Sequence, residues 1–148
     1  MLFFALMVAI ALVATGVQVA AGSFDLAASL RWGMALALIP IGFDHLRNPQ
    51  RYLPMMPPML PWHGFLVAFT GLCEIAGGVG LLVPPLRWTA GLLLAIYFVG
   101  VFPANIYVAV AGKNVQGMPS ARWYYWVRLL FQPPVVLWAL LAGEVIKI

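Results

Sequence analysis

Charged residues are scarce in this 148-residue sequence. Asp, Glu, Lys and Arg together make up 8% of the chain, whereas 64% of its residues are hydrophobic. Soluble domains carry about 25% charged residues, so the composition excludes an ordinary soluble fold. The eight Lys and Arg lie mostly at the ends of apolar runs, as charges that set membrane topology do. The sequence therefore predicts an integral membrane protein and argues against DNA or RNA as a partner.

Cysteine and histidine are also scarce, which removes several chemistries. Cys73 is the only cysteine, so an intramolecular disulfide or a Cys-x-x-Cys redox cycle is excluded. His45 and His63 are predicted at the same membrane face, which argues against haems stacked through the bilayer, although their spacing alone leaves a single bis-His site open. One soft-metal set remains, suited to Cu(I), and it consists of Met55, Met56, Met59 and His63. The prolines between these residues favour an apolar lid instead, so neither a metal site nor a catalytic residue is predicted.

Five apolar runs are each close to the roughly 20 residues that cross a hydrocarbon core. They are residues 1–21, 26–43, 64–83, 88–110 and 124–143. Because backbone groups find no water in lipid, each run is predicted to be an α-helix. No charged or Ser-rich linker divides the runs. Residues 1–148 are therefore predicted to form one all-α domain, a polytopic transmembrane helical bundle.

The first run has the length and the small terminal residues of a signal peptide. It has no Lys or Arg before its apolar stretch, unlike a secretory signal, and we predict a retained helix. Residues 44–63 and 111–123 then share one membrane face. That face carries four Lys or Arg against three at the other, so the positive-inside rule favours the cytoplasm. If the first run were cleaved, residues 44–63 would still be cytoplasmic.

The segment from Arg47 to His63 holds five of the twelve prolines and three methionines. Proline excludes regular helix, and the apolar residues favour contact with headgroups or with the bundle. Two interpretations are open for this segment. It is either a lid across the bundle, or a stiff connector at the interface.

Glu74 lies in the middle of the run 64–83, where a carboxylate must face protein or water rather than lipid. With a rise of about 1.5 Å per residue, the other polar residues of the spans fall in the same half of the membrane, and they are His45, Asn105, Arg128 and Gln132. We predict a one-sided polar pocket with Glu74 at its floor, in hydrogen-bonding or ion-pair reach of at least one of Arg128, Gln132 and Asn105, directly or through water. Gly71, Gly77 and Gly78 predict close helix packing there. A purely structural ion pair, or a protonated Glu74, are alternatives.

Five motifs carry a resemblance to a known family. They are Gly42–His45, Tyr52–Pro61, Thr70–Gly78, Phe102–Tyr107 and Val127–Pro133. In order and spacing they resemble the DoxX-like family of small bacterial membrane proteins. The resemblance implies a four-helix core, with residues 1–21 as an added helix or an alternative start, in the bacterial inner (cell) membrane. It also implies an association with redox systems such as thiosulfate:quinone oxidoreductase, and it carries over His45, Glu74, Asn105, Arg128 and Gln132 as motif positions. The cysteine pair of some redox-associated relatives is missing here.

These observations lead to a functional hypothesis. The pocket is predicted to bind a quinone- or lipid-like amphipathic molecule as an accessory to a redox system. Glu74 and Arg128 would anchor its polar head, Asn105 and Gln132 would hydrogen-bond it, and the loop Tyr52–Pro61 would cap the opening. The rival hypothesis is a non-enzymatic assembly or accessory subunit, or a chaperone, for a partner membrane protein. No reaction is predicted for the chain alone.

Overall fold

The computed structural model describes residues 2–113 and 115–147, and its regular structure there is entirely helical. The α-helices are α1 (Leu2–Ala20), α2 (Leu26–Arg47), α3 (Pro49–Tyr52), α4 (His63–Leu82), α5 (Arg87–Ala111), α6 (Arg122–Leu130) and α7 (Gln132–Ala142). Short 3-10 turns follow at Leu53–Met55 and Pro84–Leu86. Five helical stretches are long and apolar enough to cross a membrane, with α6 and α7 forming the last of them. The predicted all-α bundle is confirmed, and the chain is a membrane protein.

The helices differ from the predicted runs in two places. The first span lies within the predicted run 1–21, whose residue Met1 is outside the described residues. The second helix passes Pro40 and continues to Arg47, so residues 44–47 belong to α2 rather than to the loop. The fifth span is broken at Phe131. Two consecutive prolines, Pro133 and Pro134, cannot donate backbone hydrogen bonds, which explains the break.

Helices α2 and α4 approach most closely where both carry glycine. A Cβ atom on Gly42 would lie 2.5 Å from the carbonyl oxygen of Gly71, and a Cβ on Gly71 would lie 2.7 Å from that of Gly42. Gly78 likewise packs on α2, where the nearest side chain is Ile39. The predicted close packing on the glycine face of α4 is confirmed. This contact sets the distance between His45 on α2 and Glu74 on α4.

Replacing Gly42 with alanine should therefore destabilise the bundle. The added methyl group meets backbone rather than a flexible side chain, and overpacking of this kind costs about 1–3 kcal/mol. Gly100→Ala is the matched control, because a Cβ there meets nothing within 4 Å and alanine is the better helix former. Thermal unfolding of both variants in one detergent measures the difference. Equal or higher stability of Gly42→Ala would show that the two helices can separate freely.

The two long connections lie at the same end of the bundle, as predicted. Buried side chains of both connections pack in one hydrophobic cluster, which includes Tyr52 and Met55 from one connection and Val115 from the other. The backbone N–H of Val115 also donates to the hydroxyl of Tyr125 on α6, at 3.2 Å. We call this end, formed by residues 48–62 and 112–121, the loop face. Residue 114 within it lies outside the described residues.

The first half of the Pro-rich segment packs against the bundle, and its second half is exposed. Tyr52 and Met55 are buried against the bundle, in short helical turns rather than an extended loop. Met59 and Trp62 are instead 88% and 78% exposed. The first half of the segment thus lies across the bundle, as a lid would, and the placement of the second half at the membrane interface stays a prediction.

Candidate functional site

Glu74 faces the interior of the bundle, as predicted. Its position in the middle of α4 leaves it 7% exposed. The hydroxyl of Tyr97, on α5, donates to Oε1 of Glu74 at 2.8 Å. Since a lipid-facing carboxylate would have nothing to offset its desolvation, this inward placement is the arrangement that the sequence required.

His45 is the second partner of Glu74. Its Nδ1 atom lies 2.9 Å from Oε2 of Glu74 and 3.0 Å from the carbonyl oxygen of Ile41, one turn earlier in α2. Only the contact with Ile41 has the direction of a hydrogen bond, so Oε2 is a buried oxygen without a hydrogen-bond partner. The imidazole is nearly as buried as the carboxylate. A buried acid and a buried base thus face each other directly.

Three polar residues lie next to this pair and contact one another, and they are Asp44 of α2 and Arg51 and Tyr52 of the loop face. The ring of Tyr52 stacks on that of His45, with centroids 3.7 Å apart. Its hydroxyl donates to Oδ2 of Asp44 at 2.6 Å, and Arg51 pairs with the same carboxylate. Burial, followed by the hydrogen bond to Asp44, raises the pKa of Tyr52. Tyr52 is therefore a neutral hydrogen-bond donor that ties the Pro-rich segment to α2.

Asn105 and Gln132 form a separate polar contact on another side of α5. The side chain of Asn105 donates to Oε1 of Gln132 at 3.3 Å, and Nε2 of Gln132 donates to the carbonyl oxygen of Phe98 at 2.5 Å. Phe98 follows Tyr97 in the chain, so Gln132 and Glu74 contact consecutive residues of α5. Among the described residues, no hydrogen bond joins the Asn105–Gln132 contact to the cluster around Glu74.

Arg128 stands apart from both groups. Its guanidinium lies 3.3 Å from the sulfur of Met118, in the loop-face cluster. Among the described residues, no carboxylate lies within 4.0 Å of it. Glu74 thus makes no direct contact with Arg128, Gln132 or Asn105 among the described residues, and a contact through water stays a prediction. These residues lie in the same half of the membrane as Glu74, but their side chains meet other helices.

Two grooves on the bundle are lined by residues other than Glu74. The first, about 380 Å³, is an open groove between α5 and α7, lined by Val99, Phe102, Gln132, Pro133, Val136, Leu137 and Leu140. The second has a similar volume and lies between α1 and α2. Glu74 lies instead in a polar cluster with Tyr97 and His45, and Gln132 lies at one end of an apolar groove.

The predicted site omits two polar residues that the structure brings into contact with other groups. Tyr97 lies within the apolar run 88–110, and the need of a tyrosine hydroxyl in a span for a hydrogen-bond partner is the signal that could find it. Arg31 is one of the eight Lys and Arg, whose positions predict a role in membrane topology. It is 5% exposed, and its guanidinium contacts Glu144 at 2.7 Å, the carbonyl oxygen of Ala142 at 3.2 Å and Asp25 at 3.5 Å.

The chain belongs to the family described as "Domain of unknown function (DUF8561)", whose model matches residues 34–142. The matched segment runs from the middle of α2 to the end of α7 and includes both polar groups. Helix α1 and Arg31 precede it. Neither the curated proteins nor the solved structures give a match to this chain. Function has to be argued from the side chains.

Proposed function

We propose that this protein binds a quinone- or lipid-like amphipathic molecule, with its apolar tail in the α5–α7 groove and its polar head at Gln132. The observation that carries the proposal is the groove itself. Its walls are apolar, and its one polar lining side chain is the amide of Gln132. Its volume of about 380 Å³ lies within the range of about 300–1,000 Å³ that small-molecule sites occupy.

The polar end of the groove offers both donors and acceptors. Pro103 has no N–H, so the carbonyl of Val99, one turn earlier, lacks its helical partner. The amides of Gln132 and Asn105 lie at the same end of the groove. A carbonyl or ester oxygen of the head would accept from these amides, and a hydroxyl would donate to the carbonyl of Val99. The proposed head site is therefore Gln132 and Asn105 instead of Glu74 and Arg128.

The cellular setting is part of the proposal. The resemblance to DoxX-like proteins favours an accessory role in a redox system of the bacterial inner membrane, with no reaction of the chain's own. The loop face would then lie in the cytoplasm, because it carries basic residues at Arg51 and Lys113 and at the neighbouring Arg47 and Arg122. A quinone would be the molecule shared with such a system.

Mass spectrometry of small molecules extracted from the purified protein tests the proposal. Val99→Trp should fill the α5–α7 groove and remove a co-purifying quinone or lipid. Val13→Trp is the matched control, because Val13 lines the second groove, of equal volume, and is similarly exposed. Retention by the control and loss by Val99→Trp is the expected result. Equal loss, or equal retention, in both variants would contradict the proposed groove.

Gln132→Leu tests the head site separately. Loss of one hydrogen bond of about 1 kcal/mol lowers affinity roughly fivefold, measured with a short-chain quinone and with phosphatidylglycerol as alternative probes. If Gln132→Leu weakens binding of the quinone alone, the ligand of the groove is a quinone. If it weakens binding of the phospholipid alone, the ligand is a lipid. If neither changes and a membrane protein co-purifies instead, the accessory-subunit hypothesis replaces ligand binding.

A further inference from the structure

Glu74 has no fixed positive charge beside it. Among the described residues, neither Lys nor Arg lies within 4.0 Å of its carboxylate, and the polar contacts of that carboxylate are with Tyr97 and His45. An unpaired carboxylate at this depth costs a few kcal/mol or more. The charge of Glu74 must therefore be balanced by a proton, held either on the carboxylate itself or on His45.

The other ionisable groups around the pair do not supply that balance. They are Asp44 on α2, Arg51 and Tyr52 on α3, Cys73 on α4 and Tyr97 on α5, whereas the guanidinium of Arg128, on α6, lies beyond Tyr52 and contacts Met118. Asp44 and Arg51 neutralise each other in an ion pair. Tyrosine and cysteine are neutral in their protonated forms. The charge of the whole cluster is therefore the charge of the His45–Glu74 pair.

The geometry also fixes one hydrogen. Nδ1 of His45 lies against two oxygens, Oε2 of Glu74 and the carbonyl of Ile41, so it carries a hydrogen rather than a lone pair. With that hydrogen alone, the pair has a charge of −1. One more proton, on Oε2 of Glu74 or on Nε2 of His45, makes the pair neutral without moving a heavy atom.

We propose that the His45–Glu74 pair is a proton-binding site that holds one proton beyond the hydrogen on Nδ1 at neutral pH. The site lies toward the loop face, because His45 is close to the end of α2 and stacks on Tyr52, whose hydroxyl donates to the partly exposed Asp44. On its other side the buried side chains Leu38, Leu81 and Leu94 form an apolar core. This proton site is independent of ligand binding in the α5–α7 groove.

Infrared spectroscopy of the full chain in lipid nanodiscs tests the proposal, because the chain has four acidic residues. Three of them, Asp25, Asp44 and Glu144, lie within 3.5 Å of an arginine and should be carboxylates. A carboxylic-acid band at neutral pH that moves in D2O and is absent from Glu74→Gln places the proton on Glu74. An imidazolium signal from His45 in nitrogen NMR, with no acid band, places it on the histidine. Either result supports the site.

A Glu74 carboxylate together with a neutral His45 at neutral pH would overturn the proposal. Tyr97→Phe provides an assignment that does not need Glu74→Gln to fold. It removes the hydrogen bond to Oε1 and should shift the Glu74 band. Tyr107→Phe on the same helix is the control, since the described residues offer its hydroxyl no hydrogen-bond partner, and the band should not move.

Discussion

The double substitution Asp25→Asn with Glu144→Gln should destabilise the bundle by about 3 kcal/mol, because it leaves the buried charge of Arg31 without a countercharge. Both acids are about half exposed, whereas the Arg31 side chain is 6% exposed. The change is asymmetric for that reason. Removal of the acids strands a buried cation, but removal of the cation leaves two acids that water can solvate. Asparagine at position 25 also keeps the side-chain cap of α2.

Arg31→Met is the matched comparison and should cost less than half as much. Methionine keeps most of the length of the buried side chain, and a buried ion pair that is replaced by apolar groups often costs little. Unfolding of the three proteins in the same detergent measures both effects. If Arg31→Met were the more damaging change, the bond from Arg31 to the carbonyl of Ala142 would matter more than its charge.

The depth of each polar residue could be predicted from the sequence, but its partner could not. Helical rise gives the height of Glu74, Asn105 and Gln132 in the membrane. It does not give the direction in which each side chain points across neighbouring helices. Tyr97 and Asn105 are eight residues apart on α5, or about two and a quarter turns, so they face different neighbours. Tyr97 reaches α4, and Asn105 reaches α7.

Packing between distant segments explains the other differences. The glycines of α4 indicated a close helix contact, and Gly71 makes it with α2. No local pattern shows that Arg31 meets the chain 111 residues later, at Ala142. The same applies to the groove, which exists because α7 starts at Gln132 after a break beside Pro133. The prolines were visible in the sequence, but their effect on the last span depends on how α7 packs against α5.

The packing of α1 predicts that removal of residues 1–21 will prevent stable folding of the remaining chain. Met7 is fully buried in the main hydrophobic cluster, and Phe4 contacts Phe131 and Trp138. Gly33 on α2 also packs closely against α1, since a Cβ there would lie 2.6 Å from the carbonyl oxygen of Met7. Lipid chains would replace these contacts poorly, because helix association in membranes depends on close packing.

The four-helix core that the DoxX-like resemblance implies gives the opposite expectation. Point substitutions decide between the two without a truncation. Met7→Ala should cost about 2–5 kcal/mol if α1 is an integral part of the core, measured by thermal unfolding in detergent. Leu12→Ala is the control, because Leu12 is 66% exposed on the same helix and its loss should change stability little. If Met7→Ala unfolds like the control and the truncated chain unfolds like the full one, α1 is an appendage to a four-helix core, as the DoxX-like resemblance implies. If both changes are damaging, the core of this protein has five spans.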